Sequence, residues 1–418
     1  MGLFRRSKNT TTPVFKQIID LIPKWLITQS VKKHQSDKGT HKYKTYDQLV
    51  ALTFGQLNKC FTLSDISMGI GLSRTFIGDL GLAQSPATST MSDGNRNRDS
   101  EVFKTIFTGL LKHYNGVLKG KSGRRVIEEV KDKTIKLVDS TTISVCLGLF
   151  NWAKFRTAKG GIKIHTCWSD QLMLPEVINI TEAKVHDRNG LPEMIYAAQT
   201  IIVEDRGYFD FSLMRARIDA KNTFVTRIKV NTGYKTIEEK ELPKDKDQQH
   251  IIKDEIIQLT GLKAQQAGME SHKLRLVHVY KSDEDKTIEI VTNNLDWAAR
   301  TIADLYKKRW DIELFFKAMK QNLQIKTFVG TSENAVKSQI YIAMISYLLL
   351  ELIRRNTSKT KQAFSNFVEK IRITLCFYLT LDYVVNQIKG GAIKIGKPVQ
   401  TQLFEALDLF SQNQQNDP

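Results

Sequence analysis

Thr134-Ile135-Lys136-Leu137-Val138-Asp139-Ser140-Thr141 is the stretch from which the fold is read. It is a short apolar run of strand type that ends in an acid and two small hydroxyl residues. Working outward, residues 162–168 and 176–180 read as two more strands, joined as a hairpin through Asp170-Gln171. A short helix over residues 189–199 leads to a buried strand, Thr200-Ile201-Ile202-Val203, which ends at Glu204-Asp205-Arg206-Gly207. A helix over 211–220 and a fifth strand over 223–228 follow. The order β-β-β-α-β-α-β predicts a mixed α/β sheet.

Upstream, residues 14–120 carry helical periodicity, with Lys32-Lys33-His34-Gln35-Ser36-Asp37-Lys38-Gly39 as a basic connecting loop. Residues 1–60 hold 11 Lys and Arg against 3 Asp and Glu, an asymmetry that suits contact with nucleic acid. Within this region, residues 63–74 have the form of two short helices around a Gly-containing turn, the second opened by a Ser cap. A polar cluster at residues 89–98 adds two arginines. Arg74, Asn95, Arg96 and Arg98 are candidates for contacts with phosphates and base edges. Ordinary helical hairpins with solvated polar faces fit the same pattern.

Downstream, residues 230–290 are charged and strand-rich, notably at 273–280 and 287–292. Helical periodicity resumes over 297–355 and again to about residue 410, before a polar tail at 411–418. The expected organisation is a helical DNA-binding domain over 1–125 and an α/β core over 126–229 and 291–355. A β-rich insertion occupies 230–290, and a C-terminal helical segment with its tail occupies 356–418.

Composition bounds the function. The chain has 418 residues, 62 Lys and Arg against 44 Asp and Glu, and a net charge of +18. Its 41% hydrophobic content, with 24 Gly and 8 Pro, excludes disordered and collagen-like classes. The charge favours a polyanionic partner. Cys60, Cys146, Cys167 and Cys376 are too dispersed for a zinc cluster or a disulfide framework, which points to a reducing compartment. The apolar stretch at 340–353 contains Ser346 and Glu351 and falls short of the about 20 residues that span a bilayer, so it reads as a buried helix of a cytoplasmic protein. No P-loop is present, which argues against ATP-driven chemistry.

Asp139 and Asp205 stand at strand ends, where side chains of an α/β sheet converge on ligands. Each taken alone is equally a turn or cap residue, and Asp132, Glu204 and Asp210 compete with them. The segment Tyr306-x2-Arg309-Trp310-x2-Glu313-x3-Lys317-x2-Lys320 is more specific. As one helix it places Tyr306, Arg309, Glu313, Lys317 and Lys320 within an arc of about 80°. Leu305, Ile312, Phe316, Met319 and Leu323 form an apolar arc beside it. A solvated face with i,i+4 pairs explains this stripe. So does a phosphodiester site, in which Glu313 joins two aspartates around Mg²⁺ or Mn²⁺ while the cations hold phosphates. His165 and His186 are isolated, so zinc is disfavoured.

Val138-Asp139-Ser140-Thr141, Asp205-Arg206-Gly207-Tyr208-Phe209 and Tyr306-x2-Arg309-x3-Glu313-x6-Lys320 together resemble the signature regions of DDE transposases, closest to those of insertion sequence family 4. The 107 residues between Asp205 and Glu313 fit that family's β-rich insertion. Residues 14–110 resemble the helical N-terminal domain of one of its branches. The resemblance implies a ribonuclease-H-like core whose first and fourth strands lie side by side. It implies Asp139, Asp205 and Glu313 as catalytic residues and ligands of two Mg²⁺ ions, with Mn²⁺ as a substitute. Tyr306, Arg309 and Lys320 would grip phosphates, with Lys317 on the same stripe. Trp310 or Trp297 would stack on a base flipped out of a DNA hairpin.

The implied reaction is cut-and-paste transposition on double-stranded DNA, at terminal inverted repeats and a target, by a homodimer in the bacterial nucleoid, without ATP or membrane. Another ribonuclease-H-like nuclease, and a non-catalytic DNA-binding derivative, are the alternatives.

Overall fold

The computed structural model describes residues 10–120, 123–146, 148–156, 159–190, 196–242, 250–323, 325, 327–358 and 362–387. Seven helices come first: α1 (Val14–Ile19), α2 (Lys24–His34), α3 (Thr45–Asn58), α4 (Leu63–Gly71), α5 (Arg74–Asp79), α6 (Thr88–Asn97) and α7 (Glu101–Gly120). Short polar residues set the starts of α4 and α5. Thr62 Oγ1 accepts from the Asp65 amide at 3.1 Å, and the Asp65 carboxylate accepts from the Thr62 amide at 2.9 Å, a reciprocal cap that opens α4. The Ser73 hydroxyl accepts from the Phe76 amide and opens α5.

A ten-stranded sheet follows. Its strands are β1 (Ile135–Val145), β2 (Lys154–Arg156), β3 (Lys159–Ser169), β4 (Leu174–Glu182), β5 (Ile201–Glu204), β6 (Thr223–Arg227), β7 (Tyr234–Glu239), β8 (Ile251–Leu259), β9 (Lys273–Lys281) and β10 (Lys286–Thr292). Helix α8 (Phe211–Asp219) joins β5 to β6, and α9 (Leu262–Gln266) lies between β8 and β9. The order is β2-β3-β1-β5-β6-β10-β9-β8-β7, with β4 paired to β3. β1 pairs antiparallel with β3 and parallel with β5, and β5 pairs parallel with β6. The first strand and the strand at residues 201–204 are therefore neighbours. The strands after β6 do not form a separate sheet, because β10 pairs antiparallel with β6.

Five helices complete the described chain: α10 (Ala299–Lys307), α11 (Trp310–Asn322), α12 (Glu333–Thr357), α13 (Phe364–Thr374) and α14 (Leu381–Asn386). Because α12 is apolar around its circumference, it must be surrounded. It packs against α3, α6, α7 and α14 and is buried almost throughout. By length and composition it could cross a membrane, but 94% of its apolar window lies inside the protein. The two ends of the described chain meet, since the amides of Val14 and Phe15 donate to the carbonyls of Phe377 and Leu375, each at 2.9 Å. One hydrophobic core runs from Val14 to Val385.

Two expectations change, and two others fall partly outside the described residues. β1 does not end at Asp139 but continues to Val145, because β3 pairs with it over its whole length; only the β5 ladder stops, at Val138 opposite Glu204. Residues 191–195 of the expected helix at 189–199 lie outside the described residues, and its described flanks hold only a 3-10 turn over Asp187–Asn189. The stripe at 306–320 is broken between α10 and α11, where Arg309 and Asp311 donate to carbonyls three residues back. The C-terminal helix expected to residue 410 is seen as α13 and α14, and beyond 387 it lies outside the described residues.

Candidate active site

The end of the β1–β5 ladder sets the site. Asp139 is the first β1 residue past it, and Asp205 follows β5 directly, capping a 3-10 turn over Arg206–Tyr208. Asp139 Oδ1 accepts from the Ser140 amide at 2.7 Å. The guanidinium of Arg309 enters between these two strands and α11. Its Nη1 lies 3.0 Å from Asp139 Oδ2 and 3.7 Å from Asp205 Oδ1, and its Nη2 lies 2.5 Å from Glu313 Oε1. Three carboxylates from three elements thus share one cation. They open into a cleft of about 560 Å³, also lined by Ser140, Thr141, Phe316, Lys317, Lys320 and Gln321.

The aim of Arg309 comes from its neighbour. Lys308 Nζ donates to Asp170 Oδ1 and to the Arg125 carbonyl, each at 2.6 Å, while Arg124 Nε donates to Asp170 Oδ2 at 2.6 Å. The Asp170 side chain is fully buried. The β3–β4 turn is therefore bolted to the α10–α11 junction, and the side chain after that junction points to Asp139. In the sequence Asp170 is a turn residue between two strands; only its position against α10 reveals this second use.

A second layer lies behind β1. Ser140 Oγ donates to Asp187 Oδ1 at 2.7 Å, and Lys163 Nζ is 3.2 Å from the same oxygen. His165 is fully buried beside them and shares a hydrogen bond with Thr181 Oγ1 at 3.1 Å. Gly190 is required here, because a Cβ at that position would stand 1.9 Å from His165 Nδ1.

Burial pushes the Asp139 carboxyl up to about 7, with the nearby Asp205 carboxylate adding to the shift. Arg309 and the Ser140 amide oppose it. Burial likewise lowers His165 to about 4, which keeps it neutral at ordinary pH.

Residues 131–349, which contain all three carboxylates of the cleft, match the family model described as a transposase DDE domain. The chain belongs to the DDE transposase family. It is a DNA transposase, an enzyme of metal-dependent DNA cleavage and strand transfer. A second model, a domain of unknown function (DUF4372), matches residues 10–82. A protein of Geobacillus stearothermophilus named as a transposase for insertion sequence element IS5377 is 29% identical over 76% of this chain and 79% of its own length. One of Sinorhizobium fredii, named as transposase y4zB, is 34% identical over 65% of this chain and 72% of its own. One of Synechocystis, named for insertion sequence element IS4SA, is 29% identical over 69% and 77%. Among solved structures, a piggyBac transposase synaptic complex with hairpin DNA aligns over 89% of this chain and 81% of its own at 12% identity. Its TM-score of 0.39 is too low to bear on fold or chemistry.

The other residues singled out in the transposase sequence fall in different places. Lys317 and Lys320 line the cleft. Tyr306 does not line it: it is buried on α10, with the Arg309 guanidinium carbon 5.6 Å from its ring centroid. Trp310 is exposed, but faces a separate hollow shared with Arg125, Asp304 and Asp311. Trp297 is half-buried against the main core, and its carbonyl accepts from Arg275.

In the helical region, Arg74 and Arg96 are exposed, whereas Asn95 and Arg98 are buried. Arg98 donates to the Ser36, Tyr43 and Gln48 oxygens, and Asn95 accepts from Gln48 at 2.8 Å. Those two side chains, expected as DNA contacts, hold α3 and α6 together, because the polar stripe of α6 turns inward.

Proposed function

We propose that Asp139, Asp205 and Glu313 are the catalytic carboxylates of a ribonuclease-H-like core that acts on the ends of an insertion sequence. The observation that carries this reading is their convergence on the Arg309 guanidinium in an open cleft. The β4-β3-β1-β5-β6 order, with its antiparallel half and its parallel half, supports the core assignment.

The donor set fits a hard divalent cation, Mg²⁺ or Mn²⁺, since every group is a carboxylate oxygen and a cation already stands among them. Among the described residues no three such groups are spaced as a metal cage, because in this conformation they are spread around Arg309. Bound there as a pair, the divalent ions would supply activation of the attacking oxygen and stabilisation of the leaving one. The protein's own part is to hold the carboxylates through β1, β5 and α11, and to meet the phosphate charge with Arg309, Lys317 and Lys320. The exposed Arg74 and Arg96 and the basic N-terminal region would dock the inverted repeats, with two copies of the chain pairing two ends.

The test is incubation of the purified protein with DNA that carries the element's end and Mg²⁺, resolving nicks, hairpins and joined products on gels. Cleavage at the element boundary followed by strand joining is expected. Cleavage without any joining would instead favour a plain nuclease, and hairpin products would establish that route.

A further inference from the structure

One further carboxylate touches the chain neighbours of both Asp139 and Asp205. Asp187 opens the 3-10 turn Asp187–Asn189, which packs on the turn over Arg206–Tyr208 that Asp205 caps. Its two oxygens serve different elements. Oδ1 accepts from the Ser140 hydroxyl at 2.7 Å, and the Ser140 amide in turn donates to Asp139 Oδ1 at 2.7 Å. Oδ2 faces the chain after Asp205: a Cβ built on Gly207 would stand 3.0 Å from Asp187 Oδ2 and 3.7 Å from Asp205 Oδ2. Glycine at 207 therefore lets both carboxylates border one small gap.

The loop that carries Asp187 is fastened to the antiparallel half of the sheet. Lys163 Nζ, on β3, donates to the Val185 carbonyl at 2.9 Å and lies 3.2 Å from Asp187 Oδ1. Asn179 Nδ2, on β4, donates to the Gly190 carbonyl at 2.8 Å. His165 Nδ1, also on β3, lies 3.5 Å from the Tyr208 hydroxyl in the turn after Asp205. Lys163 offsets the charge of Asp187, so no unbalanced fourth negative charge joins the three around Arg309. An anchor for the 185–190 loop alone would need Lys163 and Asn179, not the hydrogen bond to Ser140. Asp187 is not among the described residues that line the cleft, so its influence passes through Ser140 and the Gly207 turn.

We propose that Asp187 is a positioning residue that fixes the separation of Asp139 and Asp205, the separation on which a shared divalent cation depends. The proposal rests on the reading of those two aspartates as catalytic carboxylates. Asp187 itself touches neither the cation nor the DNA.

The experiment uses the full chain with Asp187→Ala, Asp187→Asn, Ser140→Ala and the double variant Ser140→Ala/Asp187→Ala. Three quantities are measured: single-turnover cleavage of saturating element-end DNA in Mg²⁺, duplex affinity by anisotropy, and affinity for Mn²⁺ alone by electron paramagnetic resonance. Asp187→Ala is expected to slow cleavage and weaken Mn²⁺ binding, each by about 10- to 100-fold, with duplex affinity unchanged. Asp187→Asn keeps an oxygen that accepts from Ser140 and should recover most of the rate. The double variant should be no slower than the slower single one, because both substitutions remove the same hydrogen bond.

Unaltered cleavage and Mn²⁺ binding in Asp187→Ala, or a double-variant loss equal to the product of the single losses, overturns the positioning role. Should Asp187→Ala lack native circular dichroism, Ser140→Ala tests the same bond from its other end, and unaltered Mn²⁺ binding there overturns the proposal. If Asp139→Asn and Asp205→Asn abolish cleavage while Asp187→Ala does not slow it, only the positioning role falls. If those two variants cleave normally, the carboxylate reading fails and Asp187 falls with it.

Discussion

Nη1 of Arg309 donates to Oδ2 of Asp139 at 3.0 Å, across 170 residues of chain. The same side chain also faces Asp205 and Glu313, so a single positive charge offsets three negative ones. Removing it leaves like charges facing one another in a partly buried site. Arg309→Gln is expected to lower unfolding free energy by about 1–3 kcal/mol in a chelator. Mg²⁺ should restore more stability to the variant than it adds to the unaltered protein. Denaturant melts with and without Mg²⁺ measure both, and an equal Mg²⁺ response in the two proteins would contradict the shared-cation account.

The pH behaviour follows from Asp139. Its carboxyl is raised in the folded protein to about 7, so the folded state binds this proton more tightly than the unfolded one. The stability it contributes is complete below about pH 4 and is lost as pH rises through about 7. Ionisation, which the proposed metal binding at Asp139 needs, comes over the same range. Carboxyl NMR of the folded protein should show one aspartate titrating near neutrality. Arg309→Gln should move that midpoint upward, because Arg309 is a group that lowers it. An Asp139 midpoint near 4 would remove the burial argument.

Asp139→Asn, Asp205→Asn and Glu313→Gln should each abolish Mg²⁺-dependent strand cleavage while leaving the fold and duplex binding in place. Ser140→Ala acts one step behind, through the Asp187 hydrogen bond, and should cost about 10- to 100-fold in rate. Retained cleavage in any of the first three removes that residue from the catalytic set.

Asp170 is a structural test of how α11 is aimed. With its side chain fully buried between Lys308 and Arg124, Asp170→Ala leaves a buried ammonium without its carboxylate. A loss of about 3–5 kcal/mol is expected in urea titration. A loss below about 1 kcal/mol, the size of an exposed pair, would show that the junction is held by other contacts.

Arg98 and Arg74 separate packing from DNA contact. Arg98→Ala should lower Tm and leave the salt dependence of DNA binding unchanged, since its guanidinium is spent on internal oxygens. Arg74→Ala and Arg96→Ala should do the reverse, with little change in Tm and a shallower salt slope. A flattened slope in Arg98→Ala would mean that α6 rearranges on DNA.

The sequence by itself determined the α/β class, the helices that flank it, the strand that carries Asp139 and the strand that ends just before Asp205. Apolar runs and helical periods are local properties, and the burial of β5 and α12 follows from them. The spacing of Arg309, Glu313 and Lys320 was likewise legible, because residues three and four apart share a helix face.

Tertiary structure alone decided the rest. It broke the 306–320 segment into two helices, which buried Tyr306 and turned Trp310 away from the cleft. It made Asp170 a buried anchor and Arg98 a packing group, although both read as surface residues. A charged side chain's role depends on which partner the fold brings within about 3 Å, and that partner lies 170 positions away for Arg309 and 138 for Lys308. No local pattern encodes such a distance.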